Sequence, residues 1–362
     1  MIVRRIAAIL FLPLMVAFGA GVYVYLGTLK SKVVKEQPQL PTVTKPKFVL
    51  PGTMYVVQSG RLFKLNGGSF TEIGPGGDWS QPTLTPDHTQ MVAVQRKGFS
   101  SDLYLMDLDG HVIKRLTKND SRIVDANHWV FYPQISPDGT SLFFGYDSPK
   151  HSSIEPGVDL SIWSMPLSGK QTQARRWTDP YWYTGGDVSP IPLKNGGVLF
   201  VRHSIDNSTA VHAQIYLQPR PLALARALTT PADDCSQPAL SHDGTQVAMI
   251  CTYGKQTASL EVASFDGTTL GARHVLLQGG LFASPTWSPD SSALAYFAPA
   301  GMAGHFQLWW LPLAPAATPS ATASGTAAAS ASTSSIPAPS APVPVQVTQG
   351  VDLTATSAPA WY

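Results

Sequence analysis

The stretch 132–144, Y-P-Q-I-S-P-D-G-T-S-L-F-F, constrains the fold of this chain more than any other. An Asp-Gly pair between two apolar runs signals a β-hairpin, because the tight turn needs positive φ and Gly adopts it without strain. The same setting recurs. Pro82 lies in Q-P-T-L-T-P-D-H-T, Pro133 in Y-P-Q-I-S-P-D-G-T, and Pro190 in S-P-I-P-L-K-N-G-G. Pro238 lies in Q-P-A-L-S-H-D-G-T, Pro285 in S-P-T-W-S-P-D-S-S, and Pro359 in A-P-A-W-Y. Consecutive prolines are separated by 51, 57, 48, 47 and 74 residues. A period of roughly 40–50 residues marks a repeat architecture in which each unit is one supersecondary element.

Each hairpin is followed by a third apolar run, at 103–106, 160–165, 214–217, 260–263 and 306–311. A second tight turn comes at Asp109-Gly110, Ser168-Gly169 and Asp266-Gly267. A fourth segment closes in Leu116-Thr117, Trp177-Thr178, Leu228-Thr229 or Val347-Thr348. One unit is therefore a four-stranded antiparallel meander, the size of a propeller blade. The long last spacing has a visible cause. Residues 314–341 are almost entirely Ala, Ser, Thr and Pro, a composition that cannot bury enough apolar surface to offset ordering entropy, so a disordered insert is expected there. Residues 54–74 supply three strands with no opening strand, and 357–362 supply an opening strand with nothing after it. Together they make one blade. The expectation is an all-β, six-bladed β-propeller of four-stranded antiparallel blades, closed by pairing of the C-terminal strand with the N-terminal blade. Closure of this kind removes exposed sheet edges.

The S-P-D-G hairpin, the D-L-Y-L-M-D strand at 102–107 and the closing L-T resemble the repeats of TolB-type six-bladed propellers. The resemblance covers about 52–362. It implies an extracytoplasmic location and the binding of cell-envelope partners. The chain departs from that family in carrying the Ala/Ser/Pro insert and in lacking the family's N-terminal α/β domain.

A hydrophobic segment stands in that domain's place. Residues 6–27 carry no charge, and a helix of 22 residues at ~1.5 Å per residue spans a ~30 Å hydrocarbon core. A cleaved signal peptide has a shorter apolar region of roughly 7–15 residues. The expected layout is a short cytoplasmic tail at 1–5, a transmembrane signal-anchor helix at 6–27, a Pro-containing linker at 28–51, and the propeller at 52–362 outside the cytoplasm. Arg4 and Arg5 precede the helix and Lys30, Lys32 and Lys35 follow it, so loop charge does not set the orientation. The orientation rests on the resemblance.

The formal net charge is +2 and only 13% of residues are charged, which provides no basic field for nucleic acid. No G-x-S-x-G, H-E-x-x-H, Walker A or G-x-G-x-x-G stretch occurs. No catalytic, cofactor or metal residue is assigned. His88 and His242 fall at hairpin turns and read as solvated turn residues. Cys235 and Cys251 flank the hairpin of the Pro238 unit; a disulfide and two separate buried thiols both fit, since a one-residue register slip decides between them.

The binding candidates are the loops before the opening strands, because every blade contributes that loop to the same mouth of the channel. They are Asp78, Trp79, His128, Trp129, Tyr132, Tyr181, Trp182, Tyr183, Asp187, Asp233, Asp234, Phe282 and Asp352. Aromatic plus acidic loops suit sugars, peptides or cationic groups. Blade packing also uses Trp and Tyr. The reading is a membrane-anchored, non-enzymatic module that binds an envelope protein or glycan. The alternative is a propeller enzyme with lactonase- or lyase-like chemistry at the mouth, metal-assisted or not.

Overall fold

A computed structural model describes residues 49–147, 159–181, 183–207, 209–300, 304–313 and 343–362. The expected membrane helix at 6–27 and the insert at 314–341 lie outside the described residues. Among the described residues no helix is long and apolar enough to cross a membrane.

The chain forms six four-stranded antiparallel sheets. Blades 1 to 5 occupy 78–115, 130–176, 187–227, 235–280 and 283–346. Blade 6 joins the C-terminal strand Ala360–Trp361 to Thr53–Gln58, Arg61–Asn66 and Ser69–Ile73. Met54 pairs with Trp361 and Tyr55 with Ala360. The Thr53 N–H donates to the Tyr362 carbonyl at 2.7 Å, and the Tyr362 N–H donates back to the Thr53 carbonyl at 3.0 Å. Gly52 lies against that closure at φ +75°, where an added Cβ would fall 2.1 Å from the Tyr362 oxygen. The hydrophobic core is divided into clusters, each lying between adjacent blades. Trp361, Met54 and Phe297 join blades 5 and 6, for example, and Met91, Trp79 and Tyr55 join blades 1 and 6.

Two repeated sequence features acquire physical roles. The closing Thr lies just beyond the outer strand. Thr117, Thr178, Thr229 and Thr348 each accept, on the side-chain oxygen, the N–H of a third-strand residue: Leu103, Ile162, Ile215 and Leu308, at 2.9–3.0 Å. The hydroxyl thus replaces a ladder partner where the outer strand stops. Blade 4 has no such Thr, and its outer strand Leu270–Gly280 runs on for 11 residues. The hairpin Asp is also occupied. Asp138 accepts the Ser136 hydroxyl, the Thr140 N–H and the Thr140 hydroxyl. The same set forms at Asp87, Asp243 and Asp290. These bonds hold each of the four carboxyls below the ordinary range, Asp290 at about 2.

The inner strands are not regular. The register slips between Ser80 and Thr83, Phe131 and Gln134, Val188 and Ile191, Ser236 and Ala239, and Ala283 and Thr286. Each slip holds a repeat proline and the residue before it. Gln81, Tyr132, Ser189, Gln237 and Ser284 all have φ between +49° and +55°. A proline cannot donate to a ladder and is tolerated at a bulge on an edge strand. The inner edge faces the channel and has no neighbouring strand. Adjacent blades satisfy some of the displaced N–H groups: Gln81 donates to Ser357 Oγ at 2.7 Å, Tyr132 to Gln81 Oε1 at 2.6 Å, and Ser284 to Gln237 Oε1 at 2.5 Å.

The register settles the cysteines. Cys235 sits directly opposite Cys251, with Cα atoms 4.1 Å apart, and the two form a disulfide. Both are fully buried.

Candidate functional site

The repeat prolines divide the channel into two halves. We call the end from which the inner strands start the upper end. The upper half holds a cavity of about 280 Å³. Its walls are the left-handed residues Gln81, Tyr132, Ser189, Gln237 and Ser284, their prolines, and His203. His203 Nδ1 lies 3.0 Å from the Gly186 carbonyl, so Nδ1 carries a proton and Nε2 is the acceptor of the neutral ring. Burial raises the Tyr132 phenol above its usual value. Among the described lining residues there is no Asp or Glu.

The loops around this upper end hold most of the residues singled out from the sequence. Asp78 is exposed, with one oxygen 3.9 Å from Arg96 Nε. Arg96 lies over the Trp129 ring at 5.8 Å, and Trp129 stacks on Phe131 at 5.9 Å. The three side chains thereby link blades 1 and 2. His128 Nδ1 is 3.0 Å from Asp147, whose side chain is buried. Tyr181 is exposed with Arg202 over its ring at 5.5 Å; Tyr183 is also exposed. The loop carrying Tyr183 is held by Asp159, which accepts the N–H groups of Tyr183, Thr184 and Gly185 at 2.6–3.0 Å. Trp182 lies outside the described residues. Phe282 is half-buried against Tyr296, edge-on at 5.7 Å. Asp352 is exposed, 3.1 Å from His305.

Other candidates face inward. Trp79 is 1% exposed and donates from Nε1 to the Pro75 carbonyl at 2.9 Å. Asp187 is fully buried and receives both Nε and Nη2 of Arg202, at 2.8 and 2.6 Å. Burial pushes the Asp187 carboxyl up, and the Arg202 guanidinium opposes it. Asp233 receives Arg273 at 2.7 Å, and Asp234 accepts the Ala213 N–H at 2.8 Å and the Thr252 hydroxyl. Each acidic candidate therefore already has a partner, and Asp187, Asp233 and Asp234 tie strands and loops together. Among the described residues no group of His, Cys, Asp and Glu is arranged to hold a metal ion.

Two sets of residues, Tyr132 apart, were not visible as site residues in the sequence. The left-handed channel residues occupy the position just before each aligned proline, and this recurrence is the signal that could have found them. The second set, His88, Lys194 and His242, lines the lower half of the channel around a cavity of about 430 Å³.

The upper end also differs from the lower in exposed apolar surface. Its loops and turns present Phe99, Ile123, Val124, Tyr181, Tyr183, Ile205, Val211, Tyr253 and Leu281 to solvent. The lower end exposes fewer, all aliphatic: Val49, Val112, Leu222, Leu224 and Val343.

The chain is similar to several solved structures. TolB from Acinetobacter baumannii superposes with a TM-score of 0.60 at 17% identity, covering 88% of this chain and 68% of that one. Hydrazine synthase from Kuenenia stuttgartiensis gives 0.52 at 14% identity, covering 74% of this chain and 44% of that one. A putative TolB from Agrobacterium tumefaciens matches at 13% identity and a TM-score of 0.48, over 72% of this chain and 84% of its own. The chain shares its six-bladed β-propeller fold with TolB. No family model matches the sequence, and no curated protein matches it.

Proposed function

We propose that the protein is a membrane-anchored, extracytoplasmic and non-enzymatic binding module whose upper end docks a protein of the cell envelope. The observation that carries this reading is the gathering of exposed aliphatic and aromatic side chains at that end. Apolar groups surrounded by polar surface mark protein-docking sites. The aliphatic residues Ile123, Val124, Ile205, Val211 and Leu281 favour a protein over a glycan, since sugars are gripped by flat aromatic faces and polar donors. The uncharged segment at 6–27 supports an anchor, and the Cys235–Cys251 disulfide suits an oxidising compartment. Lactone hydrolysis or sugar elimination would call for convergent carboxylates at the channel, and the described lining residues of both cavities include none.

The test is affinity capture from solubilised membranes with the full chain and with a Tyr183→Ser, Leu281→Asp double variant. The expected result is an envelope protein enriched by the native chain and lost with the variant, at unchanged melting temperature. Capture of the same protein by both chains would refute docking at this end.

A further inference from the structure

The lower half of the channel carries a feature that the docking reading does not use. The hairpin turns of the blades ring its mouth. In blades 1, 2 and 5 the residue four positions after the repeat proline is itself a proline: Pro86, Pro137 and Pro289. In blade 3 that position is Lys194, and in blade 4 it is His242. Blade 1 departs two residues later, where His88 stands in the place that Gly139 fills in blade 2. His88 has φ +53° and Gly139 +72°, so an imidazole occupies a left-handed site that favours glycine. The departures from the repeat are thus basic, they come from three blades, and all three side chains line one cavity of about 430 Å³.

We propose that this lower mouth binds a small oxyanion, a sulfate- or phosphate-type group or a carboxylate, held by Lys194, His242 and His88. Thr83, Thr85 and Thr286 line the same cavity, and no Asp or Glu is among its described lining residues. The nearest carboxylates belong to the turns. Asp87 is bound by Thr85 and Thr89, and Asp243 by Ser241 and Thr245; Asp138 and Asp290 are held in the same way. Lys194 acts on Asp243, helping to keep it ionised, but no ion pair joins them among the described residues. His88 stacks on the Tyr362 ring at 4.9 Å.

Charge favours an anion at this mouth. Partial desolvation in the cavity lowers the pKa of the otherwise exposed His242; a bond to the Trp287 backbone and the charge of Asp243 act the other way, while His88 lowers it further. His88 thus opposes protonation of His242. An oxyanion between them reverses that opposition, since hydrogen bonds from charged donors to an anion are the strong kind. An imidazolium holds an anion more strongly than a neutral imidazole, so affinity rises as pH falls.

The experiment is calorimetric titration of the full chain with inorganic sulfate, whose charge is constant over the range, and separately with glucuronate, at about pH 6 and about pH 8. Binding of at least one probe should tighten about tenfold at the lower pH. His242→Gln should flatten the pH dependence, and Lys194→Gln should weaken binding about fivefold at both pH values, the scale of one charge-assisted bond. Lys194→Arg should restore it. Sulfate alone would mark a phosphate- or sulfate-type ligand, and glucuronate alone a carboxylate. No binding of either probe, or binding indifferent to both Gln variants at unchanged melting temperature, would overturn the proposal. The upper-end variant Tyr183→Ser, Leu281→Asp should titrate like the native chain, which separates this site from the docking reading.

Discussion

The two halves of the channel are built from the same inner strands and end in opposite chemistry. The upper half is walled by the residues just before the repeat prolines, and the lower half by those after them. Upper positions are held by backbone demands: left-handed φ, a bulge, and N–H groups that adjacent blades satisfy at Gln81, Tyr132 and Ser284. Their side chains are neutral. Lower positions lie in hairpin turns whose geometry is already secured by the Asp and its hydroxyl partners. A turn held in that way can carry His242 in place of proline without losing its shape, and in the turn of Lys194 the place of the Asp is taken by Asn195, which accepts the Gly197 N–H at 3.0 Å. The lesson is that constraint from folding and freedom for recognition lie a few residues apart in each repeat.

The largest effect should come from cutting what both halves share. Deleting 357–362 removes the strand that pairs with Thr53–Gln58 and the Ser357 acceptor of Gln81. Loss of a cooperative thermal transition is expected; an unchanged melt would mean that the ring does not need this closure. Gly52→Ala, which sets a Cβ against the Tyr362 oxygen, should act in the same direction more weakly.

The next effect belongs to the upper half alone. The disulfide clips the start of the blade 4 inner strand across a separation of 16 residues. Replacing both cysteines by alanine should lower stability by about 3 kcal/mol, the chain-entropy value for a loop of that size. Denaturant titration measures this, and oxyanion affinity at the lower mouth should not change.

Gln81→Ala leaves the Tyr132 N–H without its acceptor and should cost about 1–2 kcal/mol by the same titration. A loss no greater than that of a surface alanine would show that water replaces the glutamine and that the upper ring is not tied blade to blade.

The smallest effect sits in the lower turns and fades in acid. Asp87, Asp138, Asp243 and Asp290 have folded-state values below the ordinary carboxylate range. Such groups contribute stability above the unfolded value of ~3.9, and the contribution disappears as pH falls through the folded value. For Asp290 that value is about 2. Asp290→Asn should therefore lower stability most at neutral pH, and its difference from the native chain should shrink below about pH 4 and disappear near pH 2 in a pH-dependent melt.

Much of this architecture was legible because its signals are local. Proline, Asp-Gly and the closing Leu-Thr each act within a few residues, so blade count, strand order and closure could be read directly. The bulges were not legible, because they depend on neighbours far away in sequence, as where Gln81 accepts the N–H of the left-handed Tyr132 across 51 residues. Asp187 read as a loop acid and proved to be the buried partner of Arg202, a pairing that depends on register. Trp79 read as a mouth aromatic, but strand alternation turns it inward while Asp78 turns out. His88 and His242 were read as solvated turn residues, and both are exposed. What the local reading missed is that ring closure brings separate turns around one opening.

The central claim is that the two mouths are chemically separate. Hydrogen exchange on the full chain, with and without sulfate at about pH 6, addresses it most directly. The account predicts slowed exchange in the turns at 85–89, 193–197 and 241–245 and none in the upper segments at 128–132 and 281–284. Slowing in the upper segments, or none in the turns, would contradict it.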